Sequence, residues 1–198
     1  MEPAQPAEYP LYFVDGDTGM SWSIDTRSVR LDAAGVTFTS ERETRTIAFR
    51  EIRSIRLQTT FVRGDDIPIG ICTVRFGNYR KLTIFSGDSH GRADADQRQH
   101  YIDFIRDFHR RIPMHDRNRI GFNGGLSETR YMIVSTAMLA GALLFGALPA
   151  FLILWKPSFE TFGIAFTSGG FVYAGWRVWN RNRPGDYSPD HVPDDLLP

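Results

Sequence analysis

Apolar and polar residues alternate along most of residues 11–84. Val29 and Leu31 alternate with polar neighbours, a turn follows at 32–35, and the same period then resumes. A period of two is typical of β-strands, in which successive side chains point to opposite faces. Turn residues recur roughly every 8–12 positions. The pattern therefore predicts an antiparallel sheet folded on itself.

The period changes to three and four residues between positions 94 and 112. Tyr101, Phe104 and Phe108 share one side of a helix with this spacing, whereas charged residues occupy the opposite side. This arrangement predicts an amphipathic helix that buries one face and ends at Pro113. We expect Phe104 and Phe108 to close the open end of the sheet.

A run without any charged residue covers residues 131–155. As a helix rising about 1.5 Å per residue it is roughly 37 Å long, more than the ~30 Å hydrocarbon core of a bilayer. A core helix of this length would carry a polar face, and this run has none. A signal peptide would lie at the N-terminus. The run therefore predicts a transmembrane helix.

A second apolar run covers residues 159–179. Glu160 and Arg177 lie near its ends, and several glycines dilute it. It predicts a second span, with an interfacial or re-entrant helix as the alternative. Basic residues flank the outer ends of the two runs, and only Lys156 lies between them. The positive-inside rule then places both termini in the cytoplasm.

Small residues recur at four-residue spacing in both runs. They are Ala137, Gly141, Ala142 and Gly146 in the first run, and Ala165, Gly169, Gly170 and Ala174 in the second. Such rows allow helix backbones to approach closely. They predict packing of the two spans on each other, with contact to a partner protein as the alternative.

These patterns divide the chain into five parts. They are a flexible tail (1–10), an α+β domain (11–115), a juxtamembrane linker (116–130), a two-helix hairpin (131–155 and 159–179) and an extended, proline-rich acidic tail (180–198). The acidic tail has too few apolar residues to fold alone. Docking on the chain's own domain and docking on a partner both remain open.

Composition narrows the function classes. Lys plus Arg and Asp plus Glu each total 23, so the chain has no net charge and no whole-chain signal for nucleic acid. The one cysteine, Cys72, excludes an intramolecular disulfide and a thiolate-rich metal cage. The histidines lack the spacing of metal ligands. We expect no metal and no cofactor.

Two loops hold residue types that occur in active sites. Ser86, Asp88 and His90 lie together, but a catalytic triad is normally assembled from distant segments. The glycines at 121–125 lack the lysine and hydroxyl of a phosphate-binding loop. We interpret the first loop as a polar connection and the second as part of the linker. No catalytic residue is predicted.

Arg42 and Arg45 are the candidate contact with anionic lipid. They lie at a predicted hairpin tip, in a region where arginines outnumber acidic residues. Arginine and glutamate interleave there, so ion pairs across a solvated strand face are the favoured interpretation. Lipid binding is the alternative.

Three segments resemble parts of bacterial PH-like membrane proteins. The early hairpin and following strand of those proteins resemble LDAAGVTFTSERETRTIAFREIRSIRL, and their capping helix is similar to QHYIDFIRDFHRRI. The ending NRPGDYSPDHVPDDLLP resembles the tail of small proteobacterial two-span proteins. The resemblance implies a PH-like domain and a location in the inner (plasma) membrane, and it implies no catalytic residue. Some of those families place the spans before the barrel, whereas here they follow it.

The expected fold is therefore α+β: a PH-like antiparallel barrel capped by one amphipathic helix, followed by an all-α transmembrane hairpin. The expected function is a non-enzymatic interaction module at the inner-membrane surface, with the lipid bilayer as its first partner. The alternative is an accessory subunit that binds a larger membrane complex through the hairpin. A membrane enzyme is the least favoured class.

Overall fold

The computed structural model describes residues 5–15, 28–39, 44–60, 68–77, 80–88, 90–155 and 158–198. The chain is α+β, as predicted, and it divides into two compact units. Met1–Gly125 and Gly185–Pro198 form the first unit, and Leu126–Pro184 forms the second. Residues 185–198 of the acidic tail therefore belong to the first unit, whereas residues 180–184 are the end of the second unit.

The strands of the first unit, within its described residues, form two sheets. Their strands are β1 (Ala7–Tyr9), β2 (Tyr12–Asp15), β3 (Ser28–Leu31), β4 (Gly35–Thr39), β5 (Thr44–Ala48), β6 (Ile52–Thr60), β7 (Ile69–Phe76), β8 (Lys81–Phe85), β9 (Gly121–Gly124) and β10 (Gly185–Asp186). One sheet has the order β1-β3-β4-β5, and the other has the order β10-β9-β6-β7-β8-β2. Within the described ranges no ladder joins the two sheets into a closed barrel.

The period-of-two prediction is confirmed in the strands that it covers. In β7, for example, Cys72 and Val74 are buried between more exposed neighbours. All neighbouring strands pair antiparallel except β6 and β9, which are parallel. The second sheet is therefore mixed, whereas an antiparallel sheet was predicted.

The chain crosses from one sheet to the other at Pro10. Strand β1 pairs with β3 in the first sheet, whereas β2 pairs with β8 in the second. Proline has no amide hydrogen to continue a ladder, so a break at this position is expected. On β1 the Tyr9 hydroxyl donates to Asp107, at 3.0 Å. The prediction of a flexible tail through residue 10 is therefore wrong for Ala7–Tyr9.

The predicted amphipathic helix is confirmed as α1 (Ala95–Arg111). The Asp94 side chain caps it by accepting from the Gln97 amide at 2.9 Å. Phe104 and Phe108 are both fully buried, and their rings stack with centroids 5.4 Å apart. A short helix, α2 (Met114–Arg117), and two single 3₁₀ turns at Phe49–Glu51 and Asp194–Leu196 complete the first unit.

The second unit is helical. It consists of α3 (Glu128–Ala142), a π-helical turn (Leu143–Ala147), α4 (Leu148–Trp155) and α5 (Phe159–Arg181). Pro149 follows the π-helical turn. Because proline cannot donate to the carbonyl four residues earlier, a wider turn before it relieves the clash of its ring.

The continuous helix Glu128–Trp155 contains the first predicted span. Among the described residues it is the one helix long and apolar enough to cross a membrane by length and composition. Helix α5 does not meet the same test, so the prediction of two spans is supported for one. The glycines in α5 and the charge at Arg177 lower its hydropathy, which is the physical reason for the difference.

Candidate functional site

The acidic tail packs on the first unit in a groove beside α1 and β9. Strand β10 opens this contact, with Gly185 paired to Gly124 and Asp186 paired to Asn123. The Tyr187 amide then donates to the Phe122 carbonyl at 3.2 Å. We call the surface that holds residues 185–198 the tail groove. Its principal contact residues are Gly70, Arg98, Tyr101, His109, Arg117 and Gly124.

A buried histidine lies at the centre of the tail groove. His109 Nδ1 is 2.7 Å from the Ile105 carbonyl, and Nε2 is 2.8 Å from the Tyr187 hydroxyl. A carbonyl oxygen can only accept, so Nδ1 carries the proton and Nε2 accepts from Tyr187. Burial, which is the largest cause, and the Arg117 charge together lower the pKa of His109 to about 4, against the opposing effect of the Ile105 carbonyl. The imidazole is therefore neutral near pH 7.

Arginines hold the tail at two further positions. Arg117 pairs with Asp190 through Nη1, while its Nε donates to the Ile112 carbonyl at 3.0 Å. Arg98 lies near the other end of α1, and its Nε donates to the Pro198 carbonyl at 2.6 Å. Backbone carbonyls of the first unit thus orient Arg117 together with Asp190.

Two glycines make room for the apolar end of the tail. A Cβ atom on Gly124 would lie 2.7 Å from Leu196 Cδ1, and one on Gly70 would lie 2.9 Å from Pro198 Cδ. A larger side chain at Gly124 would displace Leu196, whereas one at Gly70 would meet the Tyr101 ring at 2.5 Å as well as Pro198. Leu196 and Leu197 are consequently buried within the hydrophobic core of the first unit.

Polar atoms also lie buried around the Pro198 end of the tail groove. Tyr101 is fully buried, its ring is next to Gly70, and its hydroxyl has no hydrogen-bond partner among the described residues. Thr59 Oγ1 is also buried without a hydrogen-bond partner among the described residues, and Thr59 faces Gly70 across the β6–β7 ladder. Burial raises the pKa of Tyr101 well above its usual value, so the phenol stays neutral.

The residues proposed to contact lipid are not brought together into a described site. Arg42 lies outside the described residues. Arg45 lies in β5, where it pairs with Phe38 of β4 and is half-buried. Lipid contact by these two arginines therefore stays a prediction.

Four glycines of the predicted small-residue rows do not lie at a close helix contact. At Gly141, Gly146, Gly169 and Gly170 an added Cβ would meet nothing within 4 Å. Ala137 is exposed, Ala142 is half-buried, and the side chains of Ala165 and Ala174 lie outside the described part of the structure.

The helices instead approach each other elsewhere. A Cβ on Gly175 would lie 2.8 Å from Met138 Sδ, and Trp179 Nε1 donates to Ser135 Oγ at 2.8 Å. The Trp179 ring also stacks on Tyr131, with centroids 5.8 Å apart. Packing through the predicted rows stays a prediction.

The loop that holds Ser86 and Asp88 has structural hydrogen bonds. Buried Ser86 accepts from the Gly70 amide at 2.7 Å. Asp88 accepts from the amides of His90 and Arg92, each at 2.8 Å. Across the residues with described positions, no group of three or more His, Cys, Asp or Glu could hold a metal ion.

The sequence analysis missed His109 and Tyr187 as partners. His109 lies four residues after Ile105 and eight after Tyr101, which places it on the buried face of α1. Tyr187 and the Leu196-Leu197 pair are the large apolar groups of an otherwise polar tail. These signals indicate burial, but neither identifies the partner.

Comparison of the sequence with protein-family models gives no match, and neither does comparison with curated proteins.

Proposed function

We propose that this protein is a membrane-anchored interaction module. In this proposal a PH-like domain without catalytic activity is held at the cytoplasmic face of a bacterial inner membrane. The observation that carries it is the apolar helix Glu128–Trp155, which has the length and composition of a membrane span.

The surface of this helix supports the anchor. Only 6% of its most apolar window is buried, and Leu154 is 85% exposed. Soluble proteins rarely expose a continuous apolar surface of this kind, whereas lipid tails cover it at no hydrophobic cost. The intrahelical hydrogen bonds also satisfy the backbone within lipid. The bilayer is therefore the partner that fits this surface best.

Helix α5 supports a second span, which completes a hairpin with both termini in the cytoplasm. Phe159 and Phe166 are almost fully exposed on it. Arg177 lies near its end, where a long basic side chain can reach the lipid headgroups. Its shorter apolar stretch fits a span whose flanking charges snorkel to the two interfaces.

The strand order supports a PH-like domain. The first strand is divided at Pro10 between two sheets, later strands follow in meander order, and α1 covers the sheets with Phe104 and Phe108. Short strands followed by one covering helix are part of the layout implied by the resemblance to bacterial PH-like proteins. That resemblance implies no catalytic residue, and this supports an interaction role over an enzymatic one.

The second candidate function is an accessory subunit of a larger membrane complex. The open space beside Gly141, Gly146, Gly169 and Gly170 favours it, because small residues without a neighbour can accept a helix of another protein. Purification in mild detergent separates the two candidates. A stoichiometric membrane partner would favour the subunit, and a chain purified alone would favour the module.

Membrane extraction and topology reporters test the anchor. The full chain should stay in the membrane fraction after alkaline carbonate washing. A reporter active only in the periplasm should be silent when fused after Pro198 and active when inserted between Lys156 and Pro157. Activity at both positions would show that α5 does not span. Release by carbonate would overturn the anchor itself.

A further inference from the structure

We propose that the tail groove is a peptide-binding site and that residues 185–198 are its tethered ligand. The partner is an extended, acidic segment of another protein. It carries a tyrosine, an acid three positions later and a Leu-Leu-Pro group near its end, like Tyr187, Asp190 and Leu196–Pro198 of the tail. The inference rests on the proposed function, because it names the surface that the interaction module uses.

The first unit holds the groove side chains in place. The Ile105 carbonyl fixes the His109 tautomer, so Nε2 is presented as an acceptor for a tyrosine hydroxyl. Carbonyl oxygens of Ile112 and His109 accept from Arg117 and orient its guanidinium toward Asp190. Binding groups that are positioned before the ligand arrives lose little freedom on binding. This preorganisation is expected of a binding site.

The groove also has a shape that selects its occupant. Gly70 and Gly124 leave room for proline and leucine at one end, where Arg98 donates to the Pro198 carbonyl. Arg117 provides a positive charge for an acid near the Tyr187 position. Two cations, one acceptor and an apolar floor together match an extended acidic segment with apolar residues at its end.

The tail contributes little to the sheet that it joins. Strand β10 forms only the register pairs Gly185–Gly124 and Asp186–Asn123, at the edge of the second sheet. Asp190 is 72% exposed in its pair with Arg117, so solvent screens that contact. Release of the tail therefore breaks few ladder bonds and leaves β9 paired with β6, and its main cost is the removal of Leu196 and Leu197 from the core.

Tethering explains why the tail occupies the groove without a partner. A short connection gives a tethered ligand an effective concentration of about 1 mM, so weak intrinsic affinity keeps it bound. A partner peptide competes when its own local concentration or affinity exceeds that value. Two binding proteins confined to the same membrane meet this condition more readily than two proteins in solution.

The test uses the full chain in detergent with a protease site inserted between Pro184 and Gly185. The probe is a fluorescent peptide of residues 185–198. After cleavage and gel filtration the tail should dissociate, and the probe should bind with a Kd below about 100 µM. Uncleaved chain should bind it at least about tenfold more weakly, because the tail competes. Equal binding to cleaved and uncleaved chain would overturn the proposal.

Two variants of the probe test where it binds. Leu196→Asp should weaken binding at least about tenfold, because it places a charge against the apolar floor at Gly124. Asp195→Ala is the matched control, since Asp195 is exposed, and it should bind like the parent peptide. Equal affinity of the Leu196→Asp peptide would show that the peptide does not use the tail groove.

Hydrogen exchange on the uncleaved chain keeps the test independent of what cleavage does to folding. The Tyr187 amide should exchange at least about tenfold faster than the Cys72 and Val74 amides, because the tail opens locally. If the Tyr187, Cys72 and Val74 amides all exchange only through global unfolding, the tail is a permanent part of the core and the inference is overturned. Carbonate release of the chain would instead overturn the membrane anchor and leave the peptide result intact.

Discussion

The two units of the molecule differ in how far they bury the same kinds of side chain. In the first unit Phe108 is fully buried, whereas in the second unit Phe166 is 87% exposed. Both lie on helices, and both helices carry many apolar residues. The helix α1 has charges on its opposite face, which leaves one face to bury, whereas α5, which holds Phe166, carries no charged residue between positions 161 and 176. The comparison teaches that the distribution of charge decides whether a helix presents one apolar face or an apolar surface on all sides.

The largest expected effect comes from truncating one phenylalanine in each unit. Phe108→Ala should lower the free energy of unfolding of the first unit by about 3–5 kcal/mol, because it leaves a cavity beside Phe49 and Phe104. Phe166→Ala is the matched control and should leave that free energy unchanged. Denaturant titration of the full chain in detergent measures both. A loss below about 1 kcal/mol for Phe108→Ala would mean that α1 is not packed as described.

A smaller effect is expected from acid, and only in the first unit. Because the folded pKa of His109 is lowered to about 4, the unfolded chain binds more protons between about pH 6.5 and pH 4. Stability is therefore full above about pH 6.5 and falls as the pH drops, by about 2–3 kcal/mol at pH 4.5.

The groups that face His109 do not change the direction of this effect. Tyr187 is a neutral phenol whose pKa is raised by burial, and Arg117 keeps its charge throughout the range. Unfolding of parent and His109→Gln at pH 7 and pH 4.5 measures the effect, with exposed His191→Gln as the control. The His109→Gln variant should lose most of the pH dependence, and an unchanged pH profile would contradict the assignment.

Adding one methyl group to a glycine should change the stability of the two units in different ways. Gly124→Ala crowds Leu196 and should destabilise the first unit by about 1 kcal/mol, since the leucine tip can shift partly. Gly141→Ala meets open space within a helix and should be neutral or stabilising there by up to about 1 kcal/mol. Thermal unfolding in detergent gives both values. Equal destabilisation would show that Gly141 packs against a neighbour.

The smallest effect is expected from the arginines at the early hairpin. Replacing Arg42 and Arg45 together by alanine should shift stability by no more than about 1 kcal/mol, because the ion pairs that the sequence predicts for them on a solvated strand face contribute little. Flotation of the full chain with anionic liposomes would not isolate this contact from the anchor. The detergent-solubilised parent and double variant should therefore be compared for their preference for anionic over neutral micelles. The comparison should be made at two salt concentrations. A tenfold loss at low salt would establish the lipid contact.

Several elements of the first unit were predictable because their signals are local. The alternation in β7 and the three- and four-residue steps in α1 each depend on neighbours along the chain. Strand β9 was not predicted, since Gly121–Gly124 shows no alternation and its partner β6 lies far away in the sequence. The predicted linker therefore contains a strand whose signal exists only in the pairing.

The sequence alone determined the apolar character of the helix Glu128–Trp155, the strand period and the absence of net charge, because these are sums over nearby residues. Only the tertiary structure decided between the two open readings of the acidic tail. The hydrogen bond between His109 and Tyr187 joins positions 78 residues apart. The space that Gly124 leaves beside its backbone is filled by Leu196, which is also distant in the sequence. Such contacts depend on shape and on buried hydrogen bonds between distant segments, which no local pattern of residue types records.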